Sequence, residues 1–180
     1  MTVYIVLGTG FEEMEAVVPC DLLRRAGVDA RFVGIGNLEI RGSRGIIVKA
    51  DCPDTEAKWE EADMIVLPGG LGGVASILGS TVVMDAVKKA HADGRFVAAI
   101  CAAPTVLAKL GFTDGKKACC YPGMGEEMGT ALMEDCGTVR DGKIITGRAA
   151  GSAFDFGLAL IEALCGKEKA EQIAAEVVYS

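Results

Sequence analysis

The chain has 180 residues, 51% of them hydrophobic, and a formal net charge of −7. That length and apolar content suit one globular domain over residues 1–180, since a chain of this size buries roughly 70% of its unfolded surface. The acidic balance disfavours nucleic acid and anionic membranes as partners, because both reward clustered Lys and Arg, and the basic residues here lie in scattered pairs such as Arg24-Arg25 and Lys88-Lys89.

Met1-Thr2 runs straight into Val3–Leu7, the first predicted strand. That start is too short and lacks the basic lead of a secretion signal, and no apolar run approaches the ~20 residues that span a bilayer. A cytoplasmic protein is expected. A helix follows over Glu13–Ala26, with Met14, Val17, Val18, Leu22 and Leu23 at helical spacing and Gly27 as its stop. Ala30–Val33 is the second strand, and Leu38–Lys49, with Gly42 and Gly45 inside, reads as a hairpin added to the sheet or its edge. Asp63–Leu67 is a buried strand running into Pro68-Gly69-Gly70. Helical runs at Val74–Leu78 and Val82–Ala92 lead to a strand ending at Ile100 and a helix over Ala102–Leu110. Lys117–Cys120 is a further strand, Gly125–Glu134 a helix, and Thr138–Thr146 a hairpin turning at Asp141-Gly142. Ser152 caps a helix over Phe154–Leu164, Gly166 breaks it, and a last helix runs from Lys167 to about Val177. Strands alternating with helices predict an α/β domain around a mostly parallel sheet, with ligands beyond the strands' carboxyl ends.

The junction at Cys101 carries most of the functional information. A β-forming run stops at one cysteine and a helical run starts at once, which is the layout of a nucleophile elbow. Ala99 and Ala103 keep bulk away from the turn. A thiol so placed meets the first free N–H groups of a helix, which favour the thiolate; the alternative is a buried structural cysteine. Seven cysteines, no C-x-x-C and a single histidine argue against a disulfide framework or a zinc site. Cys20 and Cys165 read as core. Cys119-Cys120 reads as packing, although one of the two could resolve an oxidised Cys101.

Gly8-Thr9-Gly10 lacks the third glycine of a dinucleotide loop, and Glu12, Glu13 and Glu15 crowd the place of a pyrophosphate. Glu12 and Glu13 read as ordinary helix-dipole partners. Glu15 shares a helical face with Val18 and Leu22, where a carboxyl would have its pKa raised and could exchange a proton with the thiol. Gly70 and Ala102 can supply amides to an oxyanion. His91 lies at the amino end of the elbow strand, about 15–20 Å from the thiol at 3.3 Å per residue, and is expected at the surface. No Cys–His dyad is available.

Gly10 to Glu15, Val66–Gly70, Ala98–Pro104 and the late Arg148…Gly151 together resemble the ThiJ/PfpI superfamily, most closely its parkinsonism-associated deglycase-like (glyoxalase III-like) branch. The resemblance implies a flavodoxin-like three-layer sandwich, usually a homodimer, with Cys101 as functional cysteine and Glu15 hydrogen-bonded to it. It implies an anion pocket at Gly69, Gly70 and Ala102, with Tyr121 and Arg148 nearby. It also implies cofactor- and metal-independent conversion of small carbonyl substrates (2-oxoaldehydes or early glycation adducts) and a thiol oxidised to a sulfinate under oxidative stress. Two positions depart from the pattern: Tyr121 precedes Pro122 where the family often has histidine, and Ala149-Ala150-Gly151 replaces Gly-Pro-Gly. A phenol donates a hydrogen bond but is a poor base at neutral pH.

Overall fold

In a computed structural model that describes residues 1–179, the strands β1 (Thr2–Leu7), β2 (Asp29–Gly34), β5 (Cys52–Pro53), β6 (Met64–Leu67), β7 (Phe96–Ile100), β10 (Thr138–Asp141) and β11 (Ile144–Gly147) form one sheet. Its order is β10-β11-β7-β6-β1-β2-β5, parallel throughout except for the β10–β11 hairpin. Successive side chains of a strand point to opposite faces, and a parallel sheet covered by helices buries both. Val3, Ile5, Leu7, Val66, Ala98 and Ile100 accordingly pack on one face with α1 (Glu13–Arg25), α5 (Ala153–Cys165) and α6 (Lys167–Glu176). Tyr4, Val6, Ile65, Leu67, Val97 and Ala99 pack on the other with α2 (Leu71–Gly79), α3 (Thr81–Ala92) and α4 (Pro104–Lys109). The result is the expected three-layer α/β sandwich.

Several local expectations are corrected. The hairpin of β3 (Glu39–Arg41) and β4 (Ile47–Lys49) is a separate two-stranded sheet, and the edge place falls to β5. The helix expected over Gly125–Glu134 is a 3₁₀ turn at Gly125–Met128, after which the chain extends into β9 (Leu132–Met133) beside β8 (Lys117–Ala118). Gly129 at φ 61° ends that turn, and two glycines in five residues weaken a helix. Strand pairing stops before Cys119-Cys120. The helix after the elbow begins at Pro104, because Cys101–Ala103 form a turn. Ser152 lies in a 3₁₀ turn and makes no side-chain cap. Cys20 is buried, whereas Cys165 is half-exposed. Among the described residues, no single helix is long and apolar enough to cross a membrane.

Candidate active site

β7 is buried along its whole length and carries the chain to the carboxyl edge of the sheet, where it turns at Cys101. Cys101 has φ 66°, one of two non-glycine residues with positive φ among the described residues. Such a conformation costs of order 1–3 kcal/mol and persists only where the surroundings hold it. Here the Cys101 N–H donates to Gly147 O (2.9 Å), Tyr121 N–H donates to Cys101 O (2.8 Å), and Ala103 N–H donates to Ile100 O (3.1 Å). The elbow is therefore pinned from β11, from the loop after β8 and from its own turn.

The first turn of α1 delivers Glu15 to the same edge. Glu12 accepts the Glu15 N–H as an N-cap (2.9 Å), which sets the rotation of the helix start. Glu15 is fully buried, and Oε2 accepts from Gly69 N–H at 2.8 Å. Its second oxygen, Oε1, is buried with no hydrogen-bond partner. The Cys101 thiol stands outside strict hydrogen-bond geometry yet close enough for each group to shift the other. Gly69 separates the two: a Cβ there would lie 2.5 Å from Glu15 Oε2 and 2.7 Å from Cys101 Cβ.

Burial pushes the Glu15 carboxyl up to about 7, opposed by the nearby Cys101 thiol and by the hydrogen bond from Gly69 N–H and assisted by the charge of Glu12. Burial also pushes the Cys101 thiol up to about 12, with the Glu15 charge next and the amides of Ala102 and Gly70 opposing. A thiolate favoured by a helix end alone is thus corrected. The helix is only six residues long and starts three positions later, and a carboxylate beside the sulfur outweighs two amides. Such values belong to the pair rather than to either group. Between about 7 and about 12 the pair shares one proton, and a thiolate forms when that proton sits on Glu15.

The thiol opens on a cleft of about 700 Å³ lined by Gly70, Ala102 and Tyr121 and, from the β3–β4 tip, by Ser43 and Arg44. Among the described residues, no three His, Cys, Asp or Glu side chains converge as a metal site would need.

The model of the DJ-1/PfpI family matches residues 1–163. This chain belongs to the DJ-1/PfpI family. Protein dj-1beta of Drosophila melanogaster is 38% identical over 173 residues, 94% of this chain and 92% of that protein. The solved structure titled "Toxoplasma gondii DJ-1, oxidized" superposes with a TM-score of 0.95 at 35% identity, covering 99% of this chain and 98% of that one. The glutathione-independent glyoxalase DJR-1.2 of Caenorhabditis elegans is 29% identical over 90% of this chain and 87% of its own length.

For a DJ-1/PfpI chain, this one places its expected site residues unevenly. Cys101, Gly70, Ala102 and Tyr121 share the cleft, while Glu15 and Gly69 sit directly behind the sulfur. Arg148 is elsewhere, which corrects its expected place in the pocket. It lines a neighbouring cleft of about 210 Å³ with Cys120, Met133 and Asp135, and its guanidinium is ion-paired with Asp135. Tyr121 to Gly123 form the wall between the two clefts. Cys119 is buried with its sulfur 3.2 Å from Thr146 O, so packing accounts for it. His91 is half-buried rather than superficial and stacks on Phe112 with centroids 3.8 Å apart.

Glu13 has a role that the dipole reading missed. Its buried carboxylate accepts from Arg44 N–H (2.7 Å), Ile46 N–H (3.3 Å) and Ser43 Oγ (3.2 Å). Burial would raise its pKa, but its own backbone N–H and then these hydrogen bonds hold it below the usual carboxylate value. Gly42 makes this possible, since a Cβ there would lie 2.4 Å from Glu13 Oε1. Ser43 and Arg44 therefore reach the cleft, and the one sequence signal for them was a polar tip bracketed by Gly42 and Gly45.

Proposed function

We propose that this chain is a cofactor-independent Cys/Glu enzyme acting on small 2-oxoaldehydes or early glycation adducts. The observation that carries the reading is the elbow thiol of Cys101 beside a buried carboxyl whose pKa lies at about 7, close to where a general acid–base is most useful. A relative named as a glutathione-independent glyoxalase supports the same chemistry.

The Cys101 proton passes to Glu15, and the thiolate adds to the aldehyde carbon to form a C–S bond. The oxygen that takes up the charge is held by the amides of Gly70 and Ala102 and is then protonated by Glu15, giving a hemithioacetal. Glu15, a carboxylate again, removes the proton from that carbon and returns it to the neighbouring carbon, while the hydroxyl proton moves from the first oxygen to the neighbouring carbonyl oxygen through the intervening enediol, which converts the adduct to a thioester of a 2-hydroxy acid. Water cleaves the C–S bond, releasing the hydroxy acid and the thiol. Tyr121 orients the substrate carbonyl through its phenol. We place the enzyme in the cytoplasm as a homodimer whose contact includes the exposed Met14 and Val17 of α1.

A second reading, in which Cys101 is oxidised to a sulfinate and catalysis is minor, is favoured by one feature. The unpartnered Glu15 Oε1 would donate to a sulfinate oxygen once protonated. Lactate formation from methylglyoxal separates the two. Wild type should form lactate, Cys101→Ser and Glu15→Gln should abolish it, and Tyr121→Phe should reduce it. Absence of lactate with wild type, together with rapid gain of two oxygens at Cys101 under mild peroxide, overturns the enzymatic reading in favour of the second.

A further inference from the structure

We propose that Arg44 makes the Cys101 cleft selective for carbonyl compounds that carry a carboxylate, and that Glu13 is the positioning residue that holds Arg44 there. This rests on Cys101 being the reacting group. A cleft of about 700 Å³ falls in the range that takes drug-sized ligands, and a three-carbon oxoaldehyde fills a small part of it. The remaining space admits a substrate with a further group, and the lining indicates of what kind. Leu71, Tyr121, Pro122 and Met124 provide apolar wall, and Arg44 provides the cation.

Arginines in this acidic chain mostly find a carboxylate: Arg24, Arg25, Arg31, Arg95 and Arg148 all do. Among the described residues, the Arg44 guanidinium makes no ion pair and no hydrogen bond, although its side chain is exposed at the cleft. Its backbone, by contrast, is tied down. Besides the three hydrogen bonds to Glu13, Ser43 N–H donates to Phe11 O (2.7 Å) and Gly10 N–H donates to Arg41 O (2.8 Å). Burying a carboxylate is costly unless hydrogen bonds offset it, and the three that Glu13 accepts also hold the loop tip in one place. Nothing in the Cys101–Glu15 chemistry uses Glu13. An anchored tip that brings an unpaired arginine to the lining of the cleft shared with the Cys101 thiol is an arrangement suited to recognition of a carboxylate.

The test compares alkylation of Cys101 by iodoacetate and iodoacetamide, reagents of nearly equal size that differ in charge, with the site of modification read by mass spectrometry. The ratio of the two rates should fall about three- to tenfold in Arg44→Gln, be largely restored in Arg44→Lys, and fall in wild type at high salt. Glu13→Gln should lower it as well. Glyoxylate should protect Cys101 from iodoacetamide at lower concentration than glycolaldehyde does, and Arg44→Gln should remove that preference. An unchanged rate ratio in Arg44→Gln, or equal slowing of both reagents, overturns the proposal. Alkylation reads charge at the thiol and not turnover, so failure to form lactate would defeat the catalytic reading while leaving this result standing.

Discussion

Replacing Glu15 by Gln removes a charge that the fold holds in its interior, and the two consequences have opposite signs. The Glu15 carboxyl is fully buried and its pKa is raised from 4.5 to about 7. The folded state therefore holds a proton that the unfolded chain releases between those pH values, so stability falls as pH rises from 4.5 to about 7 and then levels off. At 1.36 kcal/mol per unit, the buried charge destabilises the fold by about 3 kcal/mol above pH 7. A glutamine keeps an oxygen for the Gly69 N–H and carries no charge. For a chain of this length 1 kcal/mol moves Tm by roughly 2–4 °C, so at pH 8 Glu15→Gln should melt roughly 6–12 °C higher than wild type. Near pH 4 the two should converge, because Glu15 is then protonated in both states. The assay is thermal unfolding followed by circular dichroism at pH 4, 6 and 8. A gap of constant size across that range, or a less stable variant at pH 8, would refute the reasoning. The same variant loses the group that takes and returns protons during the proposed reaction, so greater stability should accompany loss of lactate formation.

Gly69→Ala inserts a Cβ 2.5 Å from Glu15 Oε2 and 2.7 Å from Cys101 Cβ; overpacking of this kind costs about 1–3 kcal/mol, so both Tm and the rate of Cys101 alkylation should drop, and a wild-type value of each would contradict the wedge. Glu13 has a lowered pKa, so the stability it lends to the β3–β4 tip is present above 4.5 and is lost as pH falls through the lower folded value. The NMR amide signals of Arg44 and Ile46 should titrate together in that acid range, and Glu13→Gln should abolish their hydrogen-exchange protection; amides indifferent to both would remove the latch.

Period and chemistry along the chain were enough to place the layers and the elbow. Alternating apolar strands and amphipathic helices can bury their faces in only a few ways, and a strand that ends on a cysteine between small residues has one place in such a sheet. Glu15 was legible for a similar reason: a carboxyl on the apolar face of the first helix must end beside something that can use it. Local misreadings fell where propensity is weak. Gly125–Glu134 has helical composition, but Gly129 breaks it and β8 recruits Leu132-Met133 as a partner strand.

Groups distant in sequence met only in three dimensions. The proton shared by Cys101 and Glu15 depends on how deeply both are buried, which no local pattern encodes, and burial reversed the expectation of a thiolate favoured by a helix end alone. Asp135 draws Arg148 into the neighbouring cleft, and Glu13 fastens the Arg44 backbone across some thirty residues of chain at the lip of the Cys101 cleft. The sequence alone determined the layering of the main strands and helices and the place of Cys101 at a strand-to-helix turn, because both follow from residue type and spacing. Only the tertiary structure decided which charges face that atom, because desolvation and ion pairing depend on distances between segments that the chain order leaves free.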